Sequence, residues 1–238
     1  MIDSRDRGPA GRRAASVAMV GVVVYVLVDV ALQLLPPHYS PIRDAESNLA
    51  VGPFGWIMNL NFLGRAATTV AAVLALGAVG PASRPRRVGL ILLLAGGACS
   101  AALAFLPTDV PAPGQTQVAT YTPVGIAHLG VAGVGFVAAL AAVTVLTVWL
   151  RHGELSRACP AAVGLTGVAA VGLLALGLAT VIAPDVLGLA ERICLAGILG
   201  WTFTVCAFLR SRGGLADRGH PLSRKRGDFR ETPVLPPG

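Results

Sequence analysis

Apolar residues dominate six long blocks of the chain, and short polar stretches separate the blocks. They fall at about 15–36, 55–80, 88–107, 125–149, 159–182 and 188–209. Runs of about 18 or more apolar residues with few charges are typical of membrane-spanning helices. Because backbone amides find no water in hydrocarbon, helices rather than open strands must form such blocks. The pattern therefore predicts an all-α fold, a polytopic transmembrane bundle of six helices.

Composition agrees with this prediction and outlines the domain organisation. Hydrophobic residues make up 54% of the 238 residues and charged residues 13%, about half the usual quarter of a soluble protein. We expect one transmembrane domain at residues 15–210, preceded by a basic tail at residues 1–14. A second basic tail at residues 211–238 is rich in Arg, Gly and Pro, and we expect it to be disordered.

The first apolar block follows several arginines, so a cleaved signal peptide is an alternative to a first helix. The apolar run is longer than the hydrophobic region of about 7–15 residues in a signal peptide. It ends in LLPPHYS rather than in a small-residue cleavage site. We therefore interpret the block as a retained transmembrane helix.

Basic residues are distributed unevenly between the two sides of the predicted bundle. Of the 19 Lys and Arg residues, 16 lie in the tails or in the second and fourth connections. Because Lys and Arg favour cytoplasmic loops, we predict that both termini are cytoplasmic in a multi-pass protein of the cell membrane. This distribution also accounts for most of the net charge of +7. The tail segment SRKRGDFR lacks a folded module with interleaved aromatics, so nucleic acid is not an expected partner.

A dense polar stretch, HYSPIRDAESNLAVGPFGWIMNLNFLGR, runs from His38 to Arg65. In the predicted orientation it faces the outside, where other polar residues lie at the helix ends. We expect these side chains to line an outward-facing pocket for a lipid head group or a small solute. The candidate pocket residues are His38, Ser40, Arg43, Asp44, Ser47, Asp109, His128, Glu191 and Arg192.

Two charged residues lie deeper in the predicted helices. Asp29 is about two turns below the outer end of the first helix, and Arg65 is about 15 Å into the second. Ionisable groups inside a membrane helix are costly and usually face the bundle interior. We predict an Asp29–Arg65 ion pair that either joins the two helices or forms the floor of the pocket. A lipid-exposed arrangement with snorkelling side chains is the remaining alternative.

Metal binding and catalysis are weaker hypotheses for the same polar face. His38 and His128 offer ring nitrogens near several carboxylates, but no local spacing such as HxxxH joins them. Ser40 lacks a nucleophile motif such as GxSxG. We therefore expect no metal and no cofactor, and the sequence leaves open whether the protein is an enzyme.

Several segments of the sequence resemble one known family. They are HYSPIRDAESNLAVGPFGWIMNLNF, FLPTD, GIAHLGVAG and ERI in the last block. These segments resemble the domain-of-unknown-function 998 family of prokaryotic membrane proteins, and the resemblance extends over roughly residues 15–210. It implies a six-helix integral membrane protein and carries over no activity. By this resemblance the family's motif positions correspond to Ser40, Arg43, Asp44, Ser47, Gly52, Gly55, Asp109, His128 and Arg192.

Three classes of function are compatible with the sequence. The first is a binding or transport protein, with membrane lipids as partners and a small molecule or a lipid as ligand. The second is an accessory or scaffold subunit that docks a membrane protein partner. The third is a membrane hydrolase that acts on lipids through His and Asp side chains of the outer face. The polar residues gathered on that face lead us to favour the first class.

Overall fold

The computed structural model describes residues 7–36, 39–80, 82–110, 120–151 and 155–218. Within these ranges the fold is all-helical. The six long helices are α1 (Arg7–Gln33), α2 (Gly55–Gly77), α3 (Arg84–Leu103), α4 (Pro123–Leu150), α5 (Cys159–Ile182) and α6 (Leu187–Arg218). Each contains a segment long and apolar enough to cross a membrane. The prediction of an all-α fold with six helices long and apolar enough to span a membrane is thereby confirmed.

Local sequence signals set the starts of two helices. α3 begins after Ser83 and α4 begins after Thr122, and each of these side chains accepts a hydrogen bond from an amide in the first turn. Such N-caps satisfy amides that have no partner within the helix. A proline in the first turn of both helices strengthens the signal, because proline has no amide hydrogen to leave unpaired.

The first and last helices extend beyond their apolar blocks. α1 begins at Arg7 and α6 continues to Arg218, so both enter segments that the sequence assigns to tails. These extensions contain glycines as well as arginines and alanines, and a helix does not need an apolar sequence to continue past a membrane surface. The remainder of the predicted tails, residues 1–6 and 219–238, lies outside the described residues.

Each helix packs against the next, and α6 returns to pack against α1, so that the six form a ring. Small residues bring neighbouring helices close together, as is common in membrane bundles. A methyl group on Gly172 of α5 would lie 2.2 Å from the backbone nitrogen of Cys194 in α6. One on Gly97 of α3 would lie 2.9 Å from the Thr69 methyl group of α2. Larger side chains at these positions would push the helices apart.

We call the end of the ring that carries the α1–α2, α3–α4 and α5–α6 connections the polar end. The α1–α2 connection contains a short 3-10 helix, Glu46–Ala50, which packs against α1, α2 and α6. The other half of the bundle has an apolar core around Trp201, whose indole nitrogen donates to the Thr147 hydroxyl at 2.8 Å. The buried acidic residues of the described chain, by contrast, lie toward the polar end; they are Asp29, Glu46 and Glu191.

Candidate functional site

Arg192 of α6 holds the α1–α2 connection against the bundle. Its Nη1 donates to the carbonyl oxygens of Pro41, Asp44 and Gly188 at 3.0, 3.3 and 3.2 Å. Its Nη2 donates to the Tyr39 hydroxyl at 2.7 Å. Burial raises the pKa of the Tyr39 phenol, so this group stays a neutral hydroxyl. Arg192 therefore uses these donors to order the connection.

Ser40 and Asp44 form the turn that Arg192 holds. The Ser40 amide donates to Asp44 Oδ2 at 2.7 Å, and the Asp44 amide donates to the Ser40 carbonyl at 2.8 Å. Between them Arg43 is exposed, and Ser47 is half-buried farther along the connection. The candidate His38 lies outside the described residues. Ser40 and Asp44 thus stabilise the turn of the α1–α2 connection through hydrogen bonds to each other.

Asp29 pairs with Arg192, which corrects the predicted Asp29–Arg65 pair. Its Oδ1 lies 3.6 Å from Arg192 Nη2, and its Oδ2 accepts a hydrogen bond from Gln33 at 2.6 Å. The prediction paired helices that are consecutive in the sequence. Because α6 also packs against α1, the last helix supplies the cation instead.

Arg65 belongs to a second network, beneath the connection. Its Nη1 donates to the Tyr25 hydroxyl at 2.9 Å and lies 3.7 Å from Glu46 Oε2. The Tyr25 hydroxyl donates to that same Glu46 oxygen at 2.6 Å. On the other side, Arg65 Nε donates to Ser100 Oγ of α3 at 2.8 Å. Within the described chain Arg65 Nη2 makes no hydrogen bond, so this donor is available.

Glu46 and Glu191 meet where the connection reaches α6. The Glu46 amide donates to Glu191 Oε2 at 2.7 Å, and both side chains are buried. Loss of hydration disfavours a carboxylate charge, and burial raises the pKa of Glu46 to about 7 although Arg65 acts in the opposite direction. The polar end thus holds three carboxyl groups, those of Asp29, Glu46 and Glu191, beside the guanidiniums of Arg65 and Arg192.

A cavity of about 70 Å³ lies between α2, α3, α4 and α6. A water molecule needs about 10–15 Å³ of such space, so the cavity has room for several waters or one small chemical group. Arg65 is the charged residue of its wall, and four hydroxyls accompany it. Among the sequence candidates of the described chain, Arg65 alone lines the cavity. The polar and larger apolar lining residues are Arg65, Thr68, Thr69, Ser100, Thr202, Leu93, Leu103, Phe136, Leu195, Ile198 and Leu199.

Asp109 and His128 organise the α3–α4 connection. Asp109 Oδ2 accepts hydrogen bonds from the Tyr121 and Thr122 amides at 2.6 and 2.9 Å. These bonds, the Thr122 amide first, hold the pKa of Asp109 below its ordinary value. His128 Nδ1 lies 2.6 Å from the Leu106 carbonyl oxygen. Across the described ranges no three His, Cys, Asp or Glu side chains gather into a metal-binding group.

The sequence candidates leave out three residues of the Arg65 network, namely Tyr25, Glu46 and Ser100. Tyr25 interrupts an apolar run one turn before Asp29, so the two share a helix face and a signal was present. Glu46 belongs to the polar stretch, where its sequence context does not distinguish it from neighbours such as Asp44 and Ser47. Ser100 lies in GGACSAALA, where a serine is indistinguishable from the other small packing residues.

Comparison with known proteins identifies a family. A family model described as "Protein of unknown function (DUF998)" matches residues 19–207. This range contains the α1–α2 connection, the glutamate pair and every residue that lines the cavity. No curated protein and no solved structure matches the chain.

Proposed function

The chain belongs to the DUF998 family, which has no known function, and we propose that it binds the anionic group of an amphiphile in the cavity, against Arg65. The observation that carries this proposal is the position of Arg65. Its guanidinium is fixed by Tyr25 and Ser100, it lines the cavity, and its Nη2 has no hydrogen-bond partner within the described chain.

A guanidinium in this position suits a carboxylate, sulfonate or phosphate oxygen. Charge-assisted hydrogen bonds of this kind are shorter and roughly twice as strong as neutral ones. Away from bulk water the attraction is screened less than at a protein surface. Because Ser100 and Tyr25 already orient the side chain, an arriving anion does not have to order it.

The rest of the cavity wall suits an apolar chain. Six leucine, isoleucine and phenylalanine side chains line the cavity together with alanine and glycine residues, so most of the wall is apolar, as in typical small-molecule sites where a few polar groups fix the orientation of the ligand. The limited volume restricts the bound part to a small head group and the adjoining carbons. Membrane lipids and free single-chain anions share this chemistry, and both are candidate ligands.

The distribution of basic residues supports an orientation for the site. With both termini in the cytoplasm, the polar end would face the outside of the cell membrane and the cavity would lie beneath it. Ligand would then reach Arg65 from the membrane or from the outer surface. This arrangement is compatible with binding alone and with transport.

The native thiol of Cys99 allows a direct test, because Cys99 lines the cavity and is half-buried. Cys194 and Cys206 are buried, so replacing Cys159 with serine leaves Cys99 as the accessible thiol of the described chain. We would measure alkylation of Cys99 by N-ethylmaleimide in lipid nanodiscs containing this variant. Dodecanesulfonate, an anionic single-chain probe, should slow the reaction in a saturable way.

Two comparisons make the test specific. Dodecanol has the same chain without the charge and should protect Cys99 much less. The change Arg65→Gln should abolish protection by dodecanesulfonate, whereas Arg87→Gln, at an exposed arginine of α3, should not. Equal protection by the alcohol, or undiminished protection in Arg65→Gln, would refute the proposal.

A further inference from the structure

The polar end carries more buried acid than buried base. Asp29, Glu46 and Glu191 are buried in or beside the membrane region, and the guanidiniums of Arg65 and Arg192 are their partners. If all were ionised, the cluster would hold one negative charge in excess. An uncompensated charge is costly at this depth, so a proton on one carboxyl would restore neutrality.

The groups around Glu46 make it the natural host for that proton. Arg65 of α2 faces it, as do Tyr25 and Asp29 of α1 and Glu191 of α6. Among these Arg65 alone favours the ionised form by its charge. Burial in this setting raises the pKa of Glu46 to about 7, whereas Arg192 pairs with Asp29 and donates to the neutral Tyr39 hydroxyl at the other side of the cluster.

We propose that Glu46 and Glu191 together form a proton-binding site whose occupancy is coupled to an anion at Arg65. This inference depends on the proposed function for its ligand. The link is Arg65 itself, which lies 3.7 Å from Glu46 Oε2 through Nη1 and lines the cavity. An anion at the guanidinium weakens the attraction between Arg65 and Glu46 and adds a second negative charge nearby.

The direction of the coupling follows from these charges. An anion in the cavity disfavours the Glu46 carboxylate, so binding draws a proton onto the pair. By linkage, the proton strengthens the binding of the anion to the same extent. Affinity for dodecanesulfonate, which stays ionised throughout, should therefore be highest at acid pH. It should fall by up to about tenfold per pH unit as pH rises above the titration midpoint of the ligand-free pair.

The proton site can be tested without ligand by infrared titration of the full chain in nanodiscs. We expect a protonated-carboxyl band that disappears as pH rises through neutrality. In Glu46→Gln the band should disappear or its titration midpoint should shift strongly. If the proton resides on Glu191 instead, Glu191→Gln should show this change. Asp185→Asn removes an exposed carboxyl from the same end and should leave the band unchanged. A band that neither glutamate variant alters would overturn the site.

Coupling is tested by adding dodecanesulfonate to the same samples. The midpoint of the band should move to higher pH by at least about one unit, and this shift should vanish in Arg65→Gln. If the probe protects Cys99 but leaves the midpoint unmoved, the coupling is wrong and the proposed function stands. If it fails to protect Cys99 at all, the proposed function fails, and the ligand-free band still decides whether the proton site exists.

Discussion

Arg192 and Asp29 join the last helix of the ring to the first, with Nη2 of one 3.6 Å from Oδ1 of the other. Within the described chain, Asp29 Oδ1 and Arg192 Nε are the buried side-chain oxygen and nitrogen atoms without a hydrogen bond. Because these atoms lack hydrogen bonds, the ion pair is what balances the buried charge of each side chain. It also fixes the arginine that holds the α1–α2 connection over the glutamate pair.

A double-mutant cycle should detect this pair. We expect Asp29→Asn and Arg192→Gln to show a coupling of about 1 kcal/mol in the free energy of unfolding, because each single change leaves a buried charge without its partner. Urea denaturation in dodecyl maltoside micelles, which contain no anionic amphiphile, would measure it. The matched cycle of Asp29→Asn with Arg65→Gln should give a coupling near zero, and a larger coupling there would restore the pair predicted from the sequence.

Gly188 should be intolerant of even a methyl group. A Cβ at this position would lie 2.3 Å from the Asp44 carbonyl oxygen and 2.8 Å from that of Pro41, so the connection would have to move off α6. We expect Gly188→Ala to destabilise the protein by about 1–3 kcal/mol and to make the α1–α2 connection more sensitive to protease.

Gly177 provides the control for that change. It is an exposed helical glycine with open space around its Cα. Gly177→Ala should change the free energy of unfolding by no more than about 0.5–1 kcal/mol, in the stabilising direction, because alanine has the higher helix propensity. Similar destabilisation by both substitutions would mean that the close contact between Gly188 and the connection is not the cause of the destabilisation by Gly188→Ala.

Glu46 should make stability depend on pH. The pKa rises from its ordinary 4.5 to about 7 on folding, so between these values the folded state binds more protons than the unfolded state. The free energy of unfolding should therefore fall as pH rises through this window, by up to about 1.4 kcal/mol per pH unit. Denaturation between about pH 5 and about pH 7 would measure the slope. Glu46→Gln should reduce this pH dependence. The same slope in that variant would mean that another group causes it.

The number and type of the helices could be predicted because hydrocarbon leaves the backbone little choice. Six long apolar blocks have to become six helices, and the structure contains them. Their limits were less predictable, as α1 and α6 show. Both continue into arginine-containing sequence beyond the apolar blocks, where hydropathy does not indicate where a helix ends.

The pairing of charges could not be predicted from sequence order. Asp29 lies nearer to Arg65 along the chain, yet closure of the ring brings Arg192 to it and leaves Arg65 to Glu46. The cavity was equally inaccessible, because residues of four helices line it and most of them are ordinary packing residues. The polar stretch did mark the end of the bundle at which the buried carboxyl groups of the described chain lie, although its side chains there mainly hold the connection.

Native mass spectrometry of protein gently extracted from cell membranes would test the central claim, that Arg65 holds an anion in the cavity, most directly. Wild-type protein and Arg87→Gln should retain an anionic amphiphile through detergent exchange, and Arg65→Gln should release it. Retention of the same anionic molecule at the same occupancy by Arg65→Gln, or a wild-type protein that carries none, would contradict the claim.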